Sequence, residues 1–307
     1  MSWLIYVAIN VLTDSSRIYT DNYISDTYFK GRGAIAQKYF LGFFTLFVGL
    51  IIAAFAGLDF SAVSWEIIAW IFFSGVLSSL AGIFYYKALE IEDSTNLGIF
   101  IQLSPILYLV FGFFFLGDTI TPLQLLAFAI ILIAPFLIIF SSRKRSRHIK
   151  FRAFLFAFCY VCVDVIGNLI FAKTSTPEIN FFSEIAIVYF GIGITHILTV
   201  LVLPKSRARF RHIMIESHHR VIRPLLFSGT FGVLKTLAYR LALISAPAVA
   251  LASVAADATE PIVIFFMGLV LTLIWPKFGR EKLDARTIVV HLIATVLVVI
   301  GIILMQL

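Results

Sequence analysis

Apolar stretches of about twenty residues, the length that crosses a bilayer core as a helix, recur ten times along the chain. They cover residues 3–22, 36–57, 65–88, 94–116, 121–141, 151–172, 180–203, 222–244, 247–274 and 286–306. Barrel strands would be about half as long and would alternate apolar with polar residues, so all ten stretches are expected to be α-helices. Composition points the same way. Of the 307 residues 61% are apolar and 13% charged, against about 45–50% and about 25% in a soluble domain. The expected fold is therefore an all-α integral membrane protein with ten transmembrane helices.

The first stretch is the least apolar, because Asp14, Arg17 and Asp21 interrupt it. The loop charges nevertheless require a helix there. Ten spans make the connections alternate between two sides, and 20 of the 24 lysines and arginines then fall on one side. The other side holds Lys173 and Arg240, while Arg17 and Lys235 lie inside helices. Removing the first helix would reverse every loop after it. Positive charge collects in cytoplasmic loops, which places both termini outside and suggests a prokaryotic plasma membrane. The net charge of +7 is thus accounted for by a lipid bilayer as partner, and no nucleic-acid partner is expected. No cleavable signal peptide is evident, since the first helix lacks a basic leading region.

The basic run 143–150 divides the chain into five-helix halves, 1–142 and 151–307. "VLTDSSR" (11–17) aligns with "VCVDVIG" (161–167), matching Asp14 to Asp164. "LSPILYLVFGFFFLGD" (103–118) resembles "TEPIVIFFMGLVL" (259–271), matching Pro105 to Pro261. Five helices per half means that the second half enters the membrane upside down relative to the first, as in the inverted repeats of secondary transporters.

Four helices carry polar stripes at similar depth. Asn10, Asp14, Arg17 and Asp21 share a face of the first helix, and Tyr160, Asp164 and Asn168 a face of the sixth. The eighth carries Lys235 and Tyr239; the ninth carries Ser253, Asp257 and Glu260. A charge at mid-membrane is costly unless paired or hydrated, and one shared cavity satisfies all four stripes at once. The expected substrate-binding residues are therefore Asn10, Asp14, Arg17, Tyr160, Asp164, Asn168, Lys235, Tyr239, Asp257 and Glu260. Arg17 and Lys235 would hold anionic groups, and Asp21 marks the cytoplasmic rim. The acids outnumber the bases in this set, so one of them is expected to support proton coupling. Structural ion pairs that fix helix packing are the alternative reading of the same charges. Pro105 and Pro261 are candidate hinges, with plain kinks as their alternative. Tyr85, Tyr86 and Phe100 are further candidates for the cavity wall, and His196 reads as a packing residue.

Several chemistries lack their motifs. There is no phosphate-binding G-x-x-x-x-G-K-[ST], no H-E-x-x-H and no G-x-S-x-G. The C-x-x-C pair Cys159 and Cys162 lies inside an apolar segment with no second pair, so packing is expected and not redox or metal chemistry. No cofactor or metal is expected.

"YYKALEIEDSTNLGIFIQLSPILYLVFGFFFLGDTITPLQLLAFAIILI" (85–133) resembles the end of an EamA repeat of the drug/metabolite transporter superfamily. The resemblance rests on Ala88-Leu89 after the third helix, a proline-bearing fourth helix, the turn Leu116-Gly117-Asp118, and Gln124 opening the fifth helix. The second half follows the same order less closely. Members of this type usually have Glu where Asp118 stands, and small glycines where Ala127 and Pro135 stand. The resemblance implies a transporter, not an enzyme, that exports or exchanges small metabolites by alternating access. An amino acid or related amphoteric solute would satisfy both signs of charge in the cavity. The alternative is a lipid-linked-substrate flippase or a membrane-embedded enzyme, with Asp21, Glu92 and Asp93 acting near the cytoplasmic interface.

Overall fold

The computed structural model describes residues 2–24, 27–28, 34–58, 63–89, 91, 103–142, 151–216, 218–274 and 285–305. Among these the chain forms eleven α-helices and no strand. They are α1 (Ser2–Ile24), α2 (Ala34–Ala56), α3 (Trp65–Leu89), α4 (Ser104–Phe111), α5 (Pro122–Ser142), α6 (Phe151–Thr174), α7 (Phe181–Val202), α8 (Pro204–Glu216), α9 (His218–Ser245), α10 (Val249–Ile274) and α11 (Ala285–Leu304). Six of them, α2, α3, α6, α7, α9 and α10, contain segments long and apolar enough to cross a membrane. Their outward side chains suit lipid: Phe55, Trp65, Phe151 and Ile274 are all largely exposed.

Local chemistry sets the helix ends. Thr121 and Gln124 form a reciprocal capping box, in which Gln124 N donates to Thr121 Oγ1 at 3.2 Å and Thr121 N donates to Gln124 Oε1 at 3.1 Å. Pro122 follows as the first residue of α5, where its missing N–H costs nothing. Asn180 caps α7 by accepting from Phe182 N at 2.9 Å. The buried Glu184 accepts from Ser175 Oγ at 2.7 Å and from Thr176 N at 3.3 Å, tying the α6–α7 connection to the first turn of α7.

The Leu-Gly-acid turn acquires a mechanical role. After Phe111 the chain widens into one π-helical turn, Gly112–Leu116, and then reverses at Gly117 with φ +74°, a conformation that favours glycine. The reversal delivers Asp118 Oδ2 to the backbone N–H of Val249 at 3.0 Å. A residue of the first half thereby caps α10 of the second.

The segment between the apolar stretches 180–203 and 222–244, which the ten-span reading leaves as a connection, contains α8 and the start of α9. Pro204 occupies the first position of α8, Ser206 Oγ shares a 2.7 Å hydrogen bond with Tyr39 of α2, and Phe210 stacks on Phe43 with centroids 4.9 Å apart. Lys205, Arg207 and Arg211 stay exposed. The ordering reason is thus an inner face docked on α2, not a hydrophobic span.

The most extensive helix contacts are α1 with α9, α3 with α6, α2 with α7, α5 with α11 and α3 with α7. α10 packs on α1, α4 and α5 through a half made of small residues, with Ala250, Ala252, Ala255 and Ala258 all buried. The main hydrophobic core joins this face to Trp3, Val7, Val11, Phe128, Ile131 and Val165. At the α3–α7 crossing glycine meets glycine: a Cβ on Gly75 would lie 2.2 Å from Val188 O, and one on Gly191 would lie 2.3 Å from Phe72 O. The basic linker 143–150, Glu92, Asp93 and Phe100 lie outside the described residues.

Candidate solute-binding cavity

A cavity of about 270 Å³ lies among α1, α2, α3, α4, α6, α7, α9 and α10. All ten residues expected from the polar stripes line it: Asn10, Asp14 and Arg17 from α1, Tyr160, Asp164 and Asn168 from α6, Lys235 and Tyr239 from α9, Asp257 and Glu260 from α10. α1 supplies its wall through the i, i+4, i+7 spacing of Asn10, Asp14 and Arg17. Its opposite side turns Ile5, Ile9 and Leu12 outward.

Asp14 is the hub of one wall. Its carboxylate accepts from Arg17 Nε at 2.8 Å, pairs with Arg17 Nη2 at 2.7 Å, and pairs with Lys235 Nζ of α9. Arg17 Nη1 continues the chain to Asp21 Oδ2 at 3.2 Å. Asp21 also accepts from Gln37 Nε2 and Ser228 Oγ, so it serves as a junction of α1, α2 and α9 beside the cavity. Asn10 Nδ2 donates to Lys235 O at 3.3 Å, a second tie between α1 and α9.

The wall formed by α6 and α10 is wired differently. Asp164 accepts from Asn168 Nδ2 at 3.1 Å, one turn along its own helix, and makes no ion pair among the described residues. Asp257 accepts from Ser253 Oγ at 3.4 Å. No ion pair is formed by Asp257 or Glu260 among the described residues. The cavity therefore has one wall where charge is neutralised and another where three carboxylates face it without a base in contact.

Two bases in the wall were missed by the sequence reading, which assigned Lys38 and Arg240 to loops. The structure corrects both: Lys38 is on α2 and Arg240 on α9, and both line the cavity. The signal was present, since both numbers fall inside the apolar stretches 36–57 and 222–244. With them the lining holds four bases against four acids, so the excess of acid inferred from the stripes does not hold for the lining. The reassignment also changes roles, because Arg17 and Lys235 are occupied by Asp14 whereas Lys38 forms no ion pair among the described residues. Tyr85, Tyr86, Tyr189 and Ser78 complete the polar wall.

The other singled-out residues fall elsewhere. Pro105 sits in the first turn of α4, whereas Pro261 lies inside α10, which runs unbroken from Val249 to Ile274. The two prolines thus occupy different positions in their helices. His196 is buried against Gly42, within 3.2 Å of Ser79 Oγ, away from the cavity. Cys159 and Cys162 are free thiols on α6. Of the acids expected for interfacial chemistry, Asp21 is tied into the network above, and Glu92 and Asp93 lie outside the described residues.

Comparison with known proteins adds a family and a fold. Residues 32–140 match the sequence model of the EamA-like transporter family. No curated protein matches the chain. A solved crystal structure, titled only as that of a protein, superposes with a TM-score of 0.57 at 12% identity, covering 97% of this chain and 96% of that one. Likeness at that identity concerns the fold alone.

Proposed function

We propose, from the premise that its EamA-matching segment places this chain in the drug/metabolite transporter superfamily, that it is a secondary transporter of a small amphoteric solute. The observation that carries this reading is the cavity itself. Eight helices drawn from both halves of the chain converge on it, with four bases and four acids in its wall. A structural ion-pair cluster would neutralise its members locally. Among the described residues only Asp14, Arg17 and Lys235 of the lining do so, and the remaining charges line the cavity without an ion pair.

The proposed architecture is ten spans in two inverted five-helix repeats, α1–α5 and α6–α11, with α8 as a non-spanning addition. The packing supports it. Exchanging α1 with α6, α2 with α7, α3 with α9, α4 with α10 and α5 with α11 converts the α1–α9 contact into the α6–α3 contact. The α2–α7, α4–α10 and α5–α11 contacts each map onto themselves. Such a two-fold relation suits alternating access, in which the halves rock about a site between them. In the proposed cycle the solute enters from one side, binds between the charged walls, and leaves on the other as the α1–α9 and α3–α6 pairs tilt. Export or exchange is the proposed direction, with basic loops cytoplasmic and both termini outside. Asp164, Asp257 and Glu260, which lack a paired base, are the proposed sites of proton coupling.

The test is reconstitution into liposomes with a panel of amino acids and related amphoteric metabolites, with and without an imposed pH gradient. Saturable flux that Asp14→Asn and Lys235→Ala abolish is expected. Absence of flux for the whole panel would sink the reading.

A further inference from the structure

Resting on the transporter reading above, we infer that the cavity holds an oxyanion of its solute, a carboxylate or a phosphate, between Arg240 and Lys38. Arg240 is 1% exposed, and its Nη2 donates to Ser78 Oγ at 3.3 Å. Its Nε and Nη1 have no hydrogen-bond partner. No carboxylate among the described residues forms an ion pair with it. A buried guanidinium is expensive when its donors and charge go unanswered. The guanidinium also lies over the face of Phe171, with its carbon 4.1 Å from the ring centroid. That contact fixes the plane of the guanidinium and leaves its donors unused.

The second cation lies one turn away. A Cβ on Gly82 would fall 2.3 Å from Lys38 Cε and 2.7 Å from Lys38 Nζ, so the lysine lies flat on α3 at the position where glycine leaves room. Ser78 and Gly82 are four residues apart on α3 and therefore on one face, about 6 Å along the axis. Two cations without acid partners among the described residues thus flank a single turn of α3, and the Ser78 hydroxyl between them, which donates to Ser74 O at 3.0 Å, positions the guanidinium by accepting from it. Planar or tetrahedral oxyanions answer this set, because each offers several acceptor oxygens to a forked donor and a point charge. Arg17 and Lys235 offer no equivalent, since Asp14 already fills that role.

The experiment titrates the purified full-length chain in detergent with acetate and, separately, inorganic phosphate, at ionic strength matched with chloride. The melting temperature reports binding to the folded state. Stabilisation of the wild type is expected; a response to acetate alone indicates a carboxylate-bearing solute, and a response to phosphate alone a phosphorylated one. Arg240→Lys keeps the charge and loses the fork, and apparent affinity should fall about 10- to 100-fold, the range for a lost charged hydrogen bond. Lys38→Met should weaken binding to a similar degree. If Arg240→Lys does not fold, Ser78→Ala removes the acceptor that positions the guanidinium and should weaken the same response. The inference is overturned if neither anion stabilises the wild type, or if these variants respond as the wild type does. Anion binding without solute flux would retire the transporter reading and keep the subsite. Flux without anion binding would do the reverse.

Discussion

The Lys235 ammonium on α9 closes onto the Asp14 carboxylate on α1, in the middle of one of the most extensively packed helix pairs of the molecule. The same carboxylate holds Arg17, so one acid neutralises two bases from two helices. The α3–α6 pair, its counterpart under the proposed two-fold relation, has no ion pair among the described residues: α6 offers Asp164, whereas α3 offers Ser78 and Gly82. Two similar backbones therefore carry opposite electrostatics, one wall closed by its own ion pairs and the other left with charge to give a ligand.

Asp14→Asn leaves Lys235 without its acid and Arg17 with Asp21 alone, and should destabilise the protein by about 3–5 kcal/mol, the usual effect of removing one member of a buried pair. Lys235→Met leaves Asp14 its Arg17 partner and should be milder. In the double variant the losses should fall short of the sum by about 0.5–3 kcal/mol. Denaturation of the four proteins in one detergent measures this coupling. Strict additivity would mean that the contact carries no energy.

Glycines in contact with backbone and glycines in contact with a flexible side chain should behave differently. Gly75→Ala drives a methyl group into Val188 O, and Gly191→Ala drives one into Phe72 O. Neither carbonyl can move without its helix, so each change should lower stability by about 1–3 kcal/mol. Gly82→Ala meets the end of Lys38, which can swing aside, so stability should hold while the lysine is displaced. Comparing melting temperatures of the three variants checks the distinction.

Periodicity and loop charge made the helices and the polar stripes legible, because a membrane makes burial of unpaired charge costly wherever it occurs. Asn10, Asp14, Arg17, Asp164 and Lys235 could be placed on one cavity for that reason alone. What could not be read was partnership. That Asp14 takes both Arg17 and Lys235 depends on the depth at which α1 and α9 cross, which no spacing within either helix encodes. Lys38 and Arg240 were lost to the opposite error, in which charges near the ends of apolar stretches were counted as loop residues. α8 was overlooked because its ordering comes from Tyr39 and Phe43 on another helix and not from its own hydropathy.

The bond from Asp118 to Val249 predicts a modest, separable effect. Asp118→Ala removes the cap of α10 and should cost about 1 kcal/mol, within the range for N-cap replacements. Asp118→Asn keeps an acceptor oxygen at the same place and should retain most of that stability. Thermal denaturation of the two variants decides it, and equal losses would show that charge matters here more than the hydrogen bond.

The inverted arrangement predicts that corresponding connections lie on opposite faces of the membrane. Leu58 follows α2, and Arg207 lies in α8, which follows the repeat-related α7; both are exposed. In a Cys159→Ala, Cys162→Ala background, single cysteines at Leu58 and Lys173 should react with a membrane-impermeant maleimide in intact cells. A cysteine at Arg207 should react only after permeabilisation, because a helix crossing separates it from Lys173 and basic segments stay cytoplasmic. Labelling of Lys173→Cys and Arg207→Cys from the same side would mean that α7 does not span. Labelling of Leu58→Cys and Arg207→Cys from the same side would make the two halves parallel and remove the symmetry on which the rocking cycle depends.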